Sequence, residues 1–380
     1  METLQLSPEI LEWAADQAGS SIGEIARKIS NKKTEAIALG QLTNAQAIKF
    51  SKLAGVPFGF LFLDTPPVER SLPIADFRTT MEAAPLSKDF FDTYDEIEYK
   101  QTWYRQYLES EHVAPLKFVS SVDPRKVNVK LVARNIRETL ELSDEEIQRQ
   151  KNPDALYGLL AGKAEKVGIL VFKNGVVGNN THRTLSVNEF RGFVISDKLA
   201  PAIFINGTDA PAAWVFTLVH ELAHIWLGES GVSDNSPNST NAHERLCNAI
   251  AAEVLIPAER FLQLWKAVSA RDDNEKFNFV RSQIKVSTLM IARRALELNC
   301  VTRAFYEALY LNIRGAKKKG GSGGGDFYKT FAIRNSKTFS RKVTSLAVKG
   351  VISFREAGNL LNTNPNNVMT FYAQQRTISN

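Results

Sequence analysis

The sequence predicts an α+β protein with three parts: a small helical N-terminal domain, a mixed domain with a small sheet and one strongly apolar helix, and a basic helical C-terminal segment. Three observations carry this. The first 65 residues hold short helical patterns with clear caps. Short apolar runs of strand length lie between 169 and 205, and Trp214–Gly228 follows as a long run with helical spacing. At 315–325 the chain reads G-A-K-K-K-G-G-S-G-G-G, a flexible joint by composition.

Ser7-Pro8-Glu9 starts the first helix with a cap, a proline at its first position and an acidic first turn, and the pattern runs to about Gln17. Ser20 or Ser21 caps a second helix, Ile22–Ile29. A third spans Lys33–Leu39, and a fourth spans Asn44–Leu53 and ends at Gly55. Short helices at this density suit a helix-turn-helix domain over residues 1–65. Thr65–Pro73 is a stiff proline linker.

Lys88–Leu108 is a long helix rich in aromatics, among them Phe90, Tyr94, Trp103, Tyr104 and Tyr107. A buried helical stripe explains them better than base stacking. Asp123-Pro124 opens a helix to about Leu140, and Pro153–Val167 forms the next, closed by Gly168. Ile169–Phe172 reads as a strand, with Asn174-Gly175 as a hairpin turn. Gly192–Ser196 and Ala202–Ile205 are further strands. Ile203 to Asn206, with Ile203, Ile205 and Asn206, is expected at a sheet edge, where a substrate backbone adds as a strand. His182 and Arg183 fall in the loop between strands, as oxyanion stabilisers or simply as solvated side chains.

The central stretch, W-V-F-T-L-V-H-E-L-A-H-I-W-L-G, holds H-E-x-x-H as His220, Glu221 and His224. Val215, Leu218, Leu222 and Ile225 recur at spacings of three and four. The two histidines therefore project roughly 40° apart on one helix face. Two neutral imidazoles make a half-site for Zn²⁺, and Glu221 stands where it reaches a water at the metal. A third ligand is needed. Asn241–Ile256 reads as a helix stopped before Pro257. Its stripe of Asn248, Ala251, Ala252 and Leu255 continues back to Glu244, while Glu253 lies about half a turn away. Glu244 can thus face the first helix when Glu253 cannot. Glu229 and Asp234 fall in a polar loop and are expected to be solvated. His243 is a rival ligand, a helix-start residue or a support for a ligand. Cys247 is a soft ligand or a small buried apolar residue.

These motifs resemble the ImmA/IrrE family of bacterial metallopeptidases. F-T-L-V-H-E-L-A-H-I-W-L-G is followed, after a polar loop, by H-E-R-L-C-N-A-I-A-A-E-V-L-I-P. Upstream, E-F-R-G-F-V-I-S-D and P-A-I-F-I-N-G look like the two strands that precede the family's metal helix. The resemblance covers roughly 73–314 and implies a zincin-like domain with His220, His224 and Glu244 as zinc ligands, Glu221 as catalytic base and Asn248 at the family's Asn. Val286–Asn299 looks like a further helical unit of the family. Residues 1–65, closing in V-P-F-G-F-L-F-L, look like the XRE-type helix-turn-helix of the family's longer members. The resemblance implies a regulatory protease that cleaves an XRE-type repressor. The alternative is a DNA-binding antitoxin or regulator that sequesters a nuclease-like partner with little or no proteolysis.

Charge is uneven. The net +6 divides into −1 over 1–65, +9 over 315–380, and −2 between. Attraction to nucleic acid or an acidic partner therefore belongs mainly to the C-terminal segment, 326–380, expected as a small helical docking domain with helices near Phe354–Leu361 and Asn366–Tyr372. The N-terminal domain is not basic, and its presumed recognition helix lacks the usual base-reading residues, so DNA binding there is an open expectation. Only two cysteines, no secretory signal and no membrane-length apolar run predict a cytoplasmic protein without disulfides or membrane contact.

Overall fold

The computed structural model describes residues 3–67, 72–78, 86–233, 241–268, 272–284, 286–315 and 327–378. The glycine-rich joint after Gly315, residues 68–71 of the proline linker and Asp234 lie outside the described residues. The chain divides into two compact units: Met1–Pro73 with Leu86–Phe91, and Ile74–Pro85 with Asp92–Asn380.

In the first unit, β1 (Thr3–Gln5), α1 (Pro8–Gln17), α2 (Ile22–Ile29), α3 (Thr34–Ala38), β2 (Gln41–Thr43) and α4 (Asn44–Ala54) follow in order. Two capping boxes fix helix starts: Ser21 with Glu24 on α2, and Thr43 with Gln46 on α4. Ile10, Leu11, Ile25, Ile37, Leu42, Phe50 and Leu61 close the core. The antiparallel β1–β2 pair, with Leu4 opposite Leu42, has no counterpart in the sequence reading. Strands of three residues carry too short a pattern to stand out.

The second unit begins with β3 (Ala75–Asp76); α5 (Lys88–Ser110) crosses into it from the first. The helix expected from Asp123 to Leu140 is two elements. Asp123 caps a single 3-10 turn, Pro124–Lys126, and Asn128 caps α6 (Val129–Thr139) afresh. A further capping box, Ser143 with Glu146, starts α7 (Asp144–Arg149). Then come α8 (Pro153–Lys166), β4 (Leu170–Asn174), β5 (Val176–Val177), β6 (Asn180–Thr184), β7 (Gly192–Ile195), β8 (Ala202–Asn206), α9 (Pro211–Leu227), β9 (Gly231–Ser233) and α10 (Ala242–Leu255). Helices α11 (Ala258–Lys266), α12 (Asp273–Gln283), α13 (Thr288–Glu297) and α14 (Arg303–Gly315) follow. The chain ends in α15 (Phe327–Arg334), α16 (Lys337–Val348), α17 (Phe354–Leu360) and α18 (Pro365–Ile378).

The main sheet has the order β3-β9-β7-β8-β4. β4 pairs parallel with β8, and β7 pairs antiparallel with both β8 and β9. Both faces are covered. Val171, Val194, Ile203 and Ile205 join the core shared with α6, α8, α9 and α10. On the other face, Phe193 stacks on Phe204 at 5.0 Å, Tyr94 of α5 meets Phe193 at 5.5 Å, and Phe339 of α16 meets Phe172 at 6.1 Å. The aromatic stripe of α5 is therefore packing.

Two strand expectations are corrected. The hairpin does not turn at Asn174-Gly175: β4 pairs with β8, and the hairpin is the separate β5–β6 pair beyond it. Ile203, Ile205 and Asn206 are not at an edge. β8 lies between β7 and β4 and is buried along its whole length.

The C-terminal helices join the second unit instead of standing apart. Two buried polar contacts hold them. Lys100 Nζ donates to Asn335 Oδ1 at 2.8 Å, and Ser336 Oγ donates to Glu165 Oε1 at 2.5 Å. Among the described residues no helix is long and apolar enough to cross a membrane.

Candidate metal centre

α9 forms because Pro211 sits in its first turn and a mainly apolar run follows, interrupted by Thr217, His220, Glu221 and His224. It packs over β7 and β8 and against α8 and α10. Burial on all sides leaves His220, Glu221 and His224 fully inaccessible. α10 starts at Asn241, whose side chain accepts from the His243 backbone N–H at 2.9 Å. That start places Glu244 in the first turn, buried.

The three residues converge. His224 Nε2 lies 3.1 Å from His220 Nε2 and 3.2 Å from Glu244 Oε1, and His220 Nε2 lies 3.3 Å from Glu244 Oε2. Among the described residues this is the group of His, Cys, Asp and Glu side chains close enough to hold a metal ion, with donor atoms within 4.8 Å of one another. Burial opposes ionisation of Glu244, but the two histidines bring its carboxyl down to about 2, so it remains an anion.

Each ligand is backed by another side chain. His220 Nδ1 lies 3.1 Å from Asn248 Oδ1, which puts the proton on Nδ1 and turns the Nε2 lone pair toward the cluster. His224 Nδ1 lies 3.4 Å from Glu229 Oε2, an electrostatic contact without hydrogen-bond alignment. Glu229 Oε1 is held in turn by His243 Nδ1 at 2.5 Å. Ser233 Oγ of β9 donates to Glu244 Oε1 at 3.3 Å. The Phe77 ring stacks on His224 with centroids 5.1 Å apart.

Glu221 is buried beside the cluster, within the electrostatic reach of His224 and Glu244. Among the described residues neither carboxylate oxygen has a well-aligned hydrogen-bond partner, and burial pushes its carboxyl up to about 8. Gly192 of β7 makes room for it: a Cβ there would stand 3.0 Å from Glu221 Oε1 and 2.8 Å from Thr217 Cγ2. A buried carboxyl that titrates near neutrality can take up a proton and release it again.

Of the residues singled out by sequence, the structure brings together His220, Glu221, His224, Glu244, Asn248 and His243. Glu229 and Cys247 also adjoin His224, and the others lie elsewhere. His182 is exposed on β6, in the separate hairpin, and not in a loop; Arg183 beside it pairs with Asp92 at 2.6 Å. Ile203 and Ile205 are core residues, and Asn206 Nδ2 donates to Phe190 O at 3.0 Å. Cys247 is buried with its thiol against His224, burial raises its thiol pKa, and it is not one of the three converging ligands. Glu253 is engaged with Arg294. Glu229 corrects the expectation of a solvated loop: its side chain is only 16% exposed because the chain turns straight back after α9 into β9. Ser233 and Phe77 carry no sequence signal, since only the pairing of β9 with β7 and β3 brings them to the cluster.

The donor set fits a resident Zn²⁺. Two imidazole nitrogens and a carboxylate face one buried point, and the buried Glu244 Oε2 and Glu221 oxygens are left without hydrogen bonds. A fully buried pair of carboxylates is costly unless a cation compensates it. The cluster offers the ligand set of a metal site with a buried carboxylate beside it. The peptidase family model described as the IrrE N-terminal-like domain matches residues 164–296, from the end of α8 to α13, and this segment is similar to that family. No curated protein and no solved structure matches the chain.

Proposed function

We propose that the chain is a zinc-dependent regulatory endopeptidase that cuts an XRE-type transcriptional repressor. The observation that carries the peptidase reading is the convergence of His220, His224 and Glu244 beside a buried, unpartnered Glu221. Zinc held by those three residues supplies Lewis-acid chemistry toward water and the scissile carbonyl. Asn248 fixes the His220 imidazole from behind, and the Glu229 carboxylate faces the His224 imidazole electrostatically. Glu221 accepts the proton of the attacking water and returns it to the leaving amine. The apolar surroundings of α9 keep that carboxyl poised near neutral pH.

The repressor as substrate follows from the family resemblance and from the small helical unit of residues 1–65. That unit carries no excess of basic residues, with a net charge of −1, which favours docking of a related protein over grip on DNA. The test is incubation of the zinc-loaded chain with the product of its neighbouring gene, which the proposal expects to be an XRE-type repressor. Discrete fragments are expected with the native chain and none with Glu221→Gln. A stable complex with no fragment in either case would contradict the proposal and favour sequestration of a partner.

A further inference from the structure

The sheet edge nearest the metal cluster is covered by the chain itself. β9 carries Ser233, which touches Glu244, and its outer side pairs with β3 in a short parallel register, Ala75 beside Gly231 and Asp76 beside Val232. The cover is slight. Ala75 N–H donates to Ser230 O at 3.2 Å and Phe77 N–H donates to Val232 O at 3.1 Å, while Ala75 and Asp76 themselves are exposed. Phe77 then turns inward. Its ring lies within 6° of parallel to His224, and within 11° of His243 at 6.4 Å. Gly231 is what allows this approach, since a Cβ there would come within 2.1 Å of the Phe77 ring. Arg78 fastens the end: Nη1 donates to Glu189 O at 3.0 Å, and Nη2 pairs with Asp76 at 2.6 Å.

An open sheet edge takes up an extended peptide through backbone hydrogen bonds, with pockets reading its side chains. β9 is the edge whose own residues touch the zinc ligands, and the slot over His224 is the size of an aromatic ring. We propose that this edge and slot form a peptide-binding subsite for an extended segment with an aromatic side chain, occupied here by Ile74–Arg78 as a tethered competitor. The proposal rests on the peptidase reading of the centre and deepens it: the enzyme binds substrate well only when its own strap is displaced. A tether of this kind holds its ligand at an effective concentration on the order of 1 mM. A free peptide with an intrinsic Kd of about 10 μM is then weakened roughly a hundredfold, by the ratio of the two concentrations.

The test uses the full-length, zinc-loaded Glu221→Gln chain and a fluorescent synthetic peptide, Leu-Pro-Ile-Ala-Asp-Phe-Arg, copied from residues 72–78. Its affinity is read by anisotropy for that parent, for Phe77→Ala with Arg78→Ala, and for Arg78→Ala alone. The opened variants are expected to bind at least tenfold tighter than the parent, and replacing the peptide's Phe by Ala should remove that gain. Arg78→Ala leaves the slot over His224 untouched, so it decides the matter if the double variant melts early. Equal affinity for parent and a folded opened variant, or indifference to the peptide's Phe, would overturn the subsite. Binding needs no cleavage, so the two readings fail separately. A chain that holds zinc and cuts repressor but shows no gain on opening refutes the subsite alone. A chain without zinc or cleavage refutes the peptidase beneath it.

Discussion

His220 on α9 and Asn248 on α10 are joined by a 3.1 Å contact between Nδ1 and Oδ1, across the helix pair that carries the three converging side chains of the proposed zinc site. The contact selects the tautomer in which Nε2 is free to ligate. Loss of such a support behind a ligating histidine weakens metal affinity about 10- to 100-fold. Asn248→Ala should show a loss of this size in chelator competition while the melting temperature of the metal-free chain stays put. Unaltered zinc affinity would mean that ring packing alone orients His220.

Glu229 should behave as part of the centre despite its position just after the helix. It lies between His224 at 3.4 Å and His243 at 2.5 Å. Glu229→Ala is expected to weaken zinc binding about tenfold, and His243→Ala to weaken it less, because His243 is 48% exposed and touches Glu229 and Phe77, not the ligands themselves. The reverse ranking would make His243 the more important group.

Two glutamates of α10 should separate chemistry from stability. Glu244 lies in the cluster, whereas Glu253 pairs with Arg294 and accepts from the Ala258 backbone N–H at 3.2 Å. Glu244→Ala should abolish zinc binding and leave the fold intact. Glu253→Ala should keep zinc and cost roughly 2 kcal/mol, since the largely buried Arg294 loses its closer carboxylate and keeps Glu297 at 3.5 Å. Urea melts and metal analysis of the same two proteins decide it. Zinc loss in Glu253→Ala with little change in stability would contradict the assignment.

The C-terminal helices rest on a buried carboxyl. Burial raises Glu165 above its ordinary 4.5, against hydrogen bonds from Ser336 and the Thr338 backbone. The folded chain thus holds this proton more tightly than the unfolded chain. The resulting stability is fully present below the unfolded value and is lost as pH rises through the folded one. Glu165→Gln still accepts from Ser336 but carries no charge. It should raise the melting temperature near pH 8 and do so less near pH 4. A change independent of pH would show that ionisation of Glu165 costs the fold nothing.

The sequence makes some of this legible and not the rest, for physical reasons. Helix starts are local events, so Ser21 with Glu24 and Thr43 with Gln46 announce α2 and α4 from a few residues. The alignment of His220, His224 and Glu244 also follows from helical spacing within two segments. Strand order does not. β3 has two residues and β9 three, and they meet from opposite sides of the sequence, so neither Phe77 nor Ser233 announces its place beside the ligands. The continuous apolar run Ala202–Ile205 is itself the mark of an interior strand covered on both faces, and an edge position does not follow from it. Glu229 sits in sequence that reads as polar loop, and only the immediate return of the chain into β9 presses it against His224.

His220, His224 and Glu244 are proposed to hold zinc. The measurement that meets this proposal most directly is the zinc content of the purified full-length chain and of Glu244→Ala, taken by elemental analysis on protein of equal fold. The account predicts one zinc per chain, absent from the variant. A native chain free of zinc after reconstitution, or a variant that retains it, would contradict it.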